Sequence, residues 1–283
     1  MKLFIPRYKY KAITLTGTWC ALNCSFCNKR YLRGMLSVTP VTVEGVLVEM
    51  WRRGVKGALL SGGFRPDGTL PIEPYVEKLR EVKGKTGLLF SAHLGLVRDP
   101  GLLESLKGVV DVVDYEFTQS EEIVVGVRGF PKSYLNAYRE SLQLIVDSGL
   151  YVVPHVFAWY PGMNLESLEA ELRFLEDVGV EAVSLLVYIP QGSGVAVPAG
   201  KVVEALRLAR SAFPGELYLG CMRPLQVKKL VDSVAVEEGL VDRVANPYPT
   251  VLRGQESGLE LYDACCSIPS ESLEVFRALP LAS

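Results

Sequence analysis

The stretch AITLTGTWCALNCSFC, residues 12–27, runs from β-branched and apolar residues directly into three cysteines. Residues 12–19 are typical of a buried β-strand. Cys20, Cys24 and Cys27 follow with the spacing C-x3-C-x2-C. We therefore predict a strand whose carboxyl end carries three thiols within eight residues.

Seven further runs of apolar and β-branched residues follow along the chain. They are residues 57–63, 87–95, 109–118, 150–160, 182–190, 216–222 and 243–247. Parallel strands that are buried on both faces have this composition. Amphipathic helix patterns separate the runs; in one of them, residues 164–179, leucines share one face between a capping Asn164 and a terminating Gly179.

The alternation of strands and helices predicts an α/β fold, and eight βα units predict a closed (β/α)8 barrel of the TIM type. An open doubly wound sheet is the alternative. The pattern breaks after residue 250, so we predict a barrel over residues 1–250 and a C-terminal extension over residues 251–283. We expect the extension to close the mouth of the barrel.

The composition excludes several functional classes. The chain has 283 residues, with 30 Lys and Arg against 32 Asp and Glu, so its charge gives no reason to expect nucleic acid as a partner. The sequence shows no secretory signal pattern and no apolar run of about 18 residues, so we expect a cytoplasmic protein without a membrane partner. In that reducing compartment, six cysteines indicate ligands or catalytic groups more than disulfides.

The three-cysteine loop indicates an iron–sulfur cluster more than a zinc site. A structural zinc site normally takes four ligands, and the two histidines, His93 and His155, lie far from the loop in sequence. Each histidine either faces the barrel lumen or is a core residue. Thiolates are the usual ligands of a [4Fe–4S] cluster, so three of them leave one iron open to bind another group. A zinc site or buried thiols remain the alternatives.

The segment CALNCSFC, residues 20–27, resembles the cluster motif of the radical S-adenosylmethionine (SAM) superfamily. The resemblance implies a [4Fe–4S] cluster on Cys20, Cys24 and Cys27, whose open iron is chelated by the amino and carboxylate groups of SAM. It also implies that the reduced cluster cleaves SAM to a 5′-deoxyadenosyl radical, which abstracts hydrogen from an unreactive carbon. Phe26 would then lie near the adenine.

Other positions resemble the SAM-binding segments of this family. Ser61, Gly62 and Gly63 resemble its Gly-Gly-Glu segment, whose backbone holds the SAM amino group, although Phe64 replaces the acidic residue. The alternative is an ordinary turn after a strand.

Two further SAM contacts follow from the resemblance. Asp114 and Glu116 end the fourth predicted strand and resemble residues that bind the ribose hydroxyls. Arg139 resembles an arginine that pairs with the SAM carboxylate in biotin synthase-like members, with Arg128 as its rival. The alternative for each of these side chains is an ordinary buried or solvated charge with no role in SAM binding.

Three cysteines remain outside the motif. Cys221 ends the seventh predicted strand, and Cys265 and Cys266 are adjacent in the extension. Neighbouring cysteines can bind two irons of one cluster, so the three thiols predict a second Fe–S cluster if the extension folds back. Ser267, Arg223 or an external group would complete its ligands. The alternative is three unrelated buried thiols.

Within the superfamily, residues 15–32 and the segment GCMRP, residues 220–224, most resemble a component of the archaeal-type two-protein lipoyl synthase. The resemblance implies that a sacrificial second cluster donates sulfur to unactivated C–H bonds of an octanoyl group on a carrier protein. It also implies a second radical SAM protein as partner and an electron donor such as a ferredoxin. The alternatives are another biotin synthase-like reaction, such as methylation or rearrangement, and a non-catalytic Fe–S protein.

Overall fold

The computed structural model of the chain describes residues 1–191, 196–253 and 258–278. Its strands are β1 (Lys2–Phe4), β2 (Tyr10–Thr14), β3 (Leu36–Ser37), β4 (Gly57–Ser61), β5 (Leu89–Ala92), β6 (Val112–Glu116), β7 (Val152–Trp159), β8 (Ala182–Val187), β9 (Glu216–Leu219), β10 (Arg243–Ala245) and β11 (Glu260–Tyr262). Its α-helices are α1 (Val43–Arg52), α2 (Val76–Thr86), α3 (Pro100–Leu106), α4 (Tyr134–Asp147), α5 (Leu165–Asp177), α6 (Ala199–Ala212), α7 (Leu225–Glu237) and α8 (Pro249–Arg253). Across the described residues, no helix combines the length and apolarity needed to span a bilayer.

The strands form one sheet in the order β11–β1–β10–β9–β8–β7–β6–β5–β4–β2–β3. Its strand pairs are parallel, and the sheet curls into a half-barrel with β11 and β3 as edges. The predicted α/β class is therefore confirmed, and the eight predicted strands correspond to β2 and β4 to β10. A closed eight-stranded barrel is not shown.

The α5 helix illustrates how the local sequence sets the elements that surround the sheet. The Asn164 side chain accepts a hydrogen bond from the backbone N–H of Ser167 at 2.7 Å, which caps the first turn as predicted. Leu168, Leu172 and Leu175 are buried on one face. Gly179 follows with φ of 83°, a left-handed conformation that ends the helix.

A gap between β1 and β2 receives the C-terminal segment. These strands are consecutive in sequence but do not pair, because β1 pairs with β10 and β11 while β2 pairs with β3 and β4. The carboxylate of Asp263 accepts hydrogen bonds from the backbone N–H groups of Arg7, Tyr8 and Lys9 at 2.6, 2.8 and 2.9 Å. The segment after β11 is thereby bound to the loop between β1 and β2.

The position of this segment corrects the expectation that the extension closes the barrel mouth. Phe276 packs edge-on against the ring of Tyr10, with 5.9 Å between centroids, and lies against Gly57. Tyr10 and Gly57 are the first residues of β2 and β4, so the segment lies at the amino ends of the strands. It packs there because its apolar side chains, including Ile268, complete a buried cluster inside the barrel. Residues 254–257 and 279–283 lie outside the described residues, and the boundary at residue 250 stays a prediction.

Arg243 fixes the cysteine-bearing part of this segment. Its side chain is 1% exposed and donates to the carbonyl oxygens of Cys266 and Ile268 at 2.8 and 2.6 Å. It also binds the Glu216 carboxylate at 3.0 Å and lies 4.3 Å from the centroid of the Tyr218 ring. A buried guanidinium is stable only with such partners. Arg243 therefore fixes the position of the segment, and the segment supplies acceptors that Arg243 needs.

A buried carboxyl group supports the loop that follows β6. Glu171 on α5 accepts hydrogen bonds from the backbone N–H of Gln119 at 2.5 Å and from the hydroxyl of Thr118 at 3.0 Å. Burial raises the pKa of Glu171 to about 7, although the two hydrogen bonds oppose the rise. The folded protein therefore keeps this carboxyl protonated at pH values where the unfolded chain ionises it.

We expect Glu171→Gln to change the pH dependence of stability. In the parent, this group stabilises the fold fully below about pH 4.5, and the contribution is lost as pH rises to about 7. A pKa shift of this size corresponds to roughly 3 kcal/mol of folding free energy. The parent should lose this stability as pH rises, whereas Glu171→Gln should not. Urea unfolding at pH 5 and pH 8 measures the difference. Glu176→Gln, at an exposed position of the same helix, should keep the parental slope; parallel profiles for Glu171→Gln and the parent would contradict the assignment.

Candidate functional site

A cavity of about 440 Å³ lies inside the barrel. Its wall carries all six cysteines of the chain: Cys20, Cys24, Cys27, Cys221, Cys265 and Cys266. The first three come from the carboxyl end of β2, and the last two come from the segment at the amino ends of the strands. The two predicted sets of thiols therefore face one shared space.

The loop after β2 ends in a compact turn. The backbone N–H groups of Cys27 and Asn28 both donate to the carbonyl oxygen of Cys24 at 3.0 Å. Asn28 and Lys29 then adopt left-handed conformations, with φ of 42° and 58°. Asparagine tolerates this conformation better than most residues, so the local sequence favours the turn. The turn brings Cys24 and Cys27 into the cavity wall beside Cys20.

Two of these thiols already receive hydrogen-bond donors. The backbone N–H of Phe64 lies 3.3 Å from the Sγ atom of Cys20, and Nη1 of Arg128 lies 3.2 Å from the Sγ atom of Cys24. Donors to sulfur stabilise thiolate ligands and tune the reduction potential of an Fe–S cluster. The surroundings of the loop therefore fit thiolates that bind metal.

Gly63 allows the cysteine loop to pack against the end of β4. A Cβ atom on Gly63 would lie 1.8 Å from the carbonyl oxygen of Trp19 and 2.5 Å from the Cα atom of Cys20. The backbone N–H of Gly63 donates to Oγ1 of Thr16 at 2.6 Å, and that hydroxyl donates to the Trp19 carbonyl at 2.9 Å. Any larger residue must displace the loop. Ser61 is buried in the cavity wall.

Arg128 connects the cysteine loop to β6. Its guanidinium forms an ion pair with the carboxylate of Glu116 and lies 4.7 Å from the centroid of the Phe26 ring. Within the described residues, Nε of Arg128 and Oε1 of Glu116 are buried without a hydrogen-bond partner. Phe26, Glu116 and Arg128 all line the cavity, and so does Gly62. The two unused polar atoms suit a polar ligand beside the thiols.

The structure places the two candidate arginines differently. Arg139 on α4 is exposed, where it contacts the side-chain oxygen of Gln119 and lies 5.2 Å from the ring centroid of Phe174. It does not belong to the cavity wall, whereas Arg128 does. A short π-helix, Glu122–Val127, delivers Arg128 to this position. The predicted role of Arg139 therefore gains no supporting contact.

A buried polar group lies deeper in the same wall. Oδ1 of Asp114 is 3.5 Å from Nε2 of His155, and Oδ2 is 3.8 Å from Nε2 of His93. Burial alone would raise the pKa of Asp114, but the two histidines and Ser267 hold it below its usual value. Burial lowers the pKa of His93 to about 4, although the Asp114 charge opposes this. At neutral pH the group therefore contains an ionised carboxylate beside a neutral His93.

The second set of thiols lies on the side of the cavity that faces the C-terminal segment. Cys221 follows the end of β9, and the surface that it exposes faces the cavity. Burial raises the pKa of its thiol to about 11, and the charges of Cys265 and Asp114 add to the rise. The neighbouring Cys266, burial and Asp114 raise the pKa of Cys265. Among the described residues, no three His, Cys, Asp or Glu side chains surround a single metal position.

Comparisons with known proteins agree with this geometry. A profile of the radical SAM superfamily matches residues 14–175, more than half of the chain. No curated protein sequence matches the chain.

Similar folds are also found among solved protein structures. The crystal structure of methylornithine synthase (PylB) superposes with a TM-score of 0.57 at 16% identity, covering 89% of this chain and 75% of that protein. HydG from Carboxydothermus hydrogenoformans gives 0.57 at 16% identity, covering 87% of this chain and 58% of HydG. Streptococcus suis SuiB bound to S-adenosylmethionine gives 0.56 at 11% identity, covering 91% and 58%.

The chain thus spans less than two thirds of HydG and SuiB, and at these identities the likeness shows the fold alone. The family match, by contrast, includes the three-cysteine loop and the ends of β4 and β6. The chain therefore belongs to the radical SAM superfamily, whose enzymes use a [4Fe–4S] cluster and SAM.

Proposed function

We propose that this radical SAM enzyme inserts sulfur from a second Fe–S cluster into unactivated C–H bonds of an octanoyl group on a carrier protein. The observation that carries the proposal is the single cavity lined by all six cysteines. A carbon radical formed beside the first three thiols would lie in the same enclosed space as a sulfur donor held by the other three. Such positioning is the main advantage that an enclosed site gives to a reaction between two groups.

The residues around Cys20, Cys24 and Cys27 fit the first cluster and SAM. These residues would hold a cluster that, when reduced, would supply the one electron needed to cleave SAM to methionine and a 5′-deoxyadenosyl radical able to take a hydrogen atom from the substrate. The N–H groups that point at two of the thiols would stabilise the thiolates. Phe26 supplies an aromatic surface for the adenine in the cavity wall.

The polar contacts of SAM are assigned by position in the wall. Ser61 and Gly62 line the cavity where the amino group would bind, and Gly63 supports them by admitting the cysteine loop. We assign the ribose contact to Glu116. Its carboxylate pairs with Arg128, whose guanidinium lies over the ring of Phe26. Arg128 takes the contact with the SAM carboxylate that the family resemblance gave to Arg139.

The second set of thiols fits a cluster that contains several irons. Cys265 and Cys266 are adjacent, so they would bind different irons, and Arg243 holds the backbone at Cys266. Such a cluster would supply a sulfide to the substrate carbon: the C–H bond would break, a C–S bond would form, the hydrogen would leave in 5′-deoxyadenosine, and one ferric ion would take up one electron.

The cavity wall supports an acyl chain as substrate. Apolar side chains dominate it, among them Leu22, Leu59, Leu96, Leu186 and Ile189. The substrate would arrive on its carrier protein. SuiB, which shares the fold with a TM-score of 0.53, has been solved bound to its precursor peptide SuiA. We further propose a second radical SAM protein and a ferredoxin-type electron donor as partners.

A second candidate is a biotin synthase-like rearrangement or methylation of a small polar substrate. The buried polar group of Asp114, His93 and His155 favours it, because such groups orient polar ligands in apolar cavities. Methylornithine synthase is among the structural neighbours. In this case the second set of thiols would hold no sulfur-donating cluster, so iron and sulfide analysis separates the two candidates.

We expect Cys20→Ala, Cys24→Ala and Cys27→Ala each to abolish reductive cleavage of SAM. Each change removes one of the three thiolates that hold the SAM-binding cluster. Anaerobic assays of 5′-deoxyadenosine with dithionite as reductant measure the loss. Asn23→Ala, an exposed change in the same loop, should retain cleavage. Formation of 5′-deoxyadenosine at the parental rate by any of the three variants would rule out the cluster assignment.

We expect Gly63→Ala to lose SAM cleavage in a protein that still folds. The added methyl group would overlap the Trp19 carbonyl and the Cys20 backbone, so the loop must move away from β4. Iron content, circular dichroism and 5′-deoxyadenosine formation together separate this effect from unfolding. Gly45→Ala is the matched control, because its Cβ position on α1 has no neighbouring atom within 4 Å. Full activity of Gly63→Ala would show that the loop packs differently.

We expect the triple variant Cys221→Ala, Cys265→Ala, Cys266→Ala to keep the first cluster and SAM cleavage but to add no sulfur. Its iron content should fall from about eight to about four per chain if each cluster is cubane. Reconstitution with ³⁴S-sulfide and mass spectrometry of an octanoyl-lysine peptide measure sulfur transfer. The parent should yield labelled product; unlabelled product, or full product from the triple variant, would contradict sulfur donation by a second cluster.

A further inference from the structure

The carboxylate of Asp114 is the buried acidic group that the structure leaves least satisfied. Its side chain is fully buried, and within the described residues neither oxygen has a hydrogen-bond partner. Nε2 of His155 lies 3.5 Å from one oxygen and Nε2 of His93 lies 3.8 Å from the other, which exceed ordinary hydrogen-bond distances. A buried, ionised carboxylate requires pairing or a metal. Because Asp114 lines the cavity, its partner would bind there.

The position of Asp114 on β6 separates it from the SAM-binding side. Asp114 and Glu116 are two residues apart, so both point to the same face of the strand, about 7 Å apart along it. Glu116 is joined to Cys24 through Arg128, at the carboxyl end of the strand. Asp114 lies one layer deeper, towards the amino ends, where the C-terminal segment enters the barrel.

Asp114 lines the same cavity as Cys221 and Cys265. These cysteines reach the cavity from different elements, one after β9 and one after β11. The carboxylate and both thiols therefore face one shared space.

The two side chains that the sequence offered as a fourth ligand, Arg223 and Ser267, are less suited to that role. The guanidinium of Arg223 is fully buried against Asp232, at 2.7 and 2.9 Å, and also donates to the Ala245 carbonyl oxygen at 2.8 Å. Ser267 is fully buried and is not part of the cavity wall. Asp114, by contrast, lines the cavity, and among the described residues neither of its carboxylate oxygens has a hydrogen-bond partner.

We propose that Asp114 supplies an oxygen ligand to the second Fe–S cluster, alongside Cys221, Cys265 and Cys266. The inference rests on the second cluster of the proposed function. Iron accepts carboxylate ligands in proteins, and a cationic iron would supply the charge partner that Asp114 lacks. The flanking imidazoles of His93 and His155 would then orient the carboxylate, as second-shell groups commonly do.

The direct test uses the full chain labelled with aspartate ¹³C-enriched at the side-chain carboxyl carbon. The background variant Cys20→Ala, Cys24→Ala, Cys27→Ala removes the first cluster, so pulsed electron–nuclear resonance of the reduced protein reports the second alone. We expect a ¹³C hyperfine coupling that is absent from the same protein carrying Asp114→Asn. A spectrum without the coupling, or one that keeps it in Asp114→Asn, would overturn the assignment.

A second test removes the Asp114 carboxylate, which should leave one iron of the second cluster open to an added ligand. With saturating SAM on the first cluster, Asp114→Ala should bind about one additional ¹³C-cyanide per chain, because one iron loses its protein ligand. Asp177→Ala, an exposed change at the end of α5, should bind none beyond the parent. Equal cyanide binding by the parent and Asp114→Ala would refute the ligand role. If Asp114→Ala does not fold, the labelled spectrum of the background variant decides alone.

Iron analysis separates this inference from the function on which it rests. A parent with about four irons per chain after reconstitution lacks the second cluster, and both proposals fall. A parent with about eight irons, without ¹³C coupling and without a cyanide difference, retains the second cluster and refutes only the role of Asp114.

Discussion

The three hydrogen bonds from the backbone N–H groups of Arg7, Tyr8 and Lys9 to the Asp263 carboxylate join the C-terminal segment to the loop between β1 and β2. At this point two consecutive strands, β1 and β2, separate and join opposite ends of the sheet. Bonds to a charged acceptor contribute about 1.5–3 kcal/mol each, more than neutral ones. The position of Cys265 and Cys266 in the cavity depends on this contact and on Arg243.

The long strands could be predicted from sequence, whereas the short strands at and near the edges of the sheet could not. Strands such as β8 are buried along their whole length and read as continuous apolar runs. β1, β3 and β11 contain only three, two and three residues, too few to show any periodicity. These short strands decide where the chain ends pack. For that reason the expected closed barrel and the expected lid over its mouth were the parts that the structure changed.

The same distinction holds for the candidate site. The cysteine spacing is local, so the sequence alone indicated a cluster loop and a second set of thiols. The choice between Arg128 and Arg139 depended on a π-helix, which adds a residue to the turn and shifts every side chain beyond it. The proximity of Asp114 to His155 depended on the register between β6 and β7, where Glu116 pairs with His155. Register between strands is not visible in a single sequence.

The pairing of β1 has a consequence for how the protein is made. Lys2 pairs with Arg243 on one side and with Glu260 on the other, so β1 can complete its pairing only after β10 and β11 have been synthesised. Contacts of such sequence separation slow folding, and unpaired strand edges favour aggregation until they close. The second set of thiols comes together only when this pairing forms. The proposed second cluster could therefore assemble on these thiols only after β11 has paired with β1.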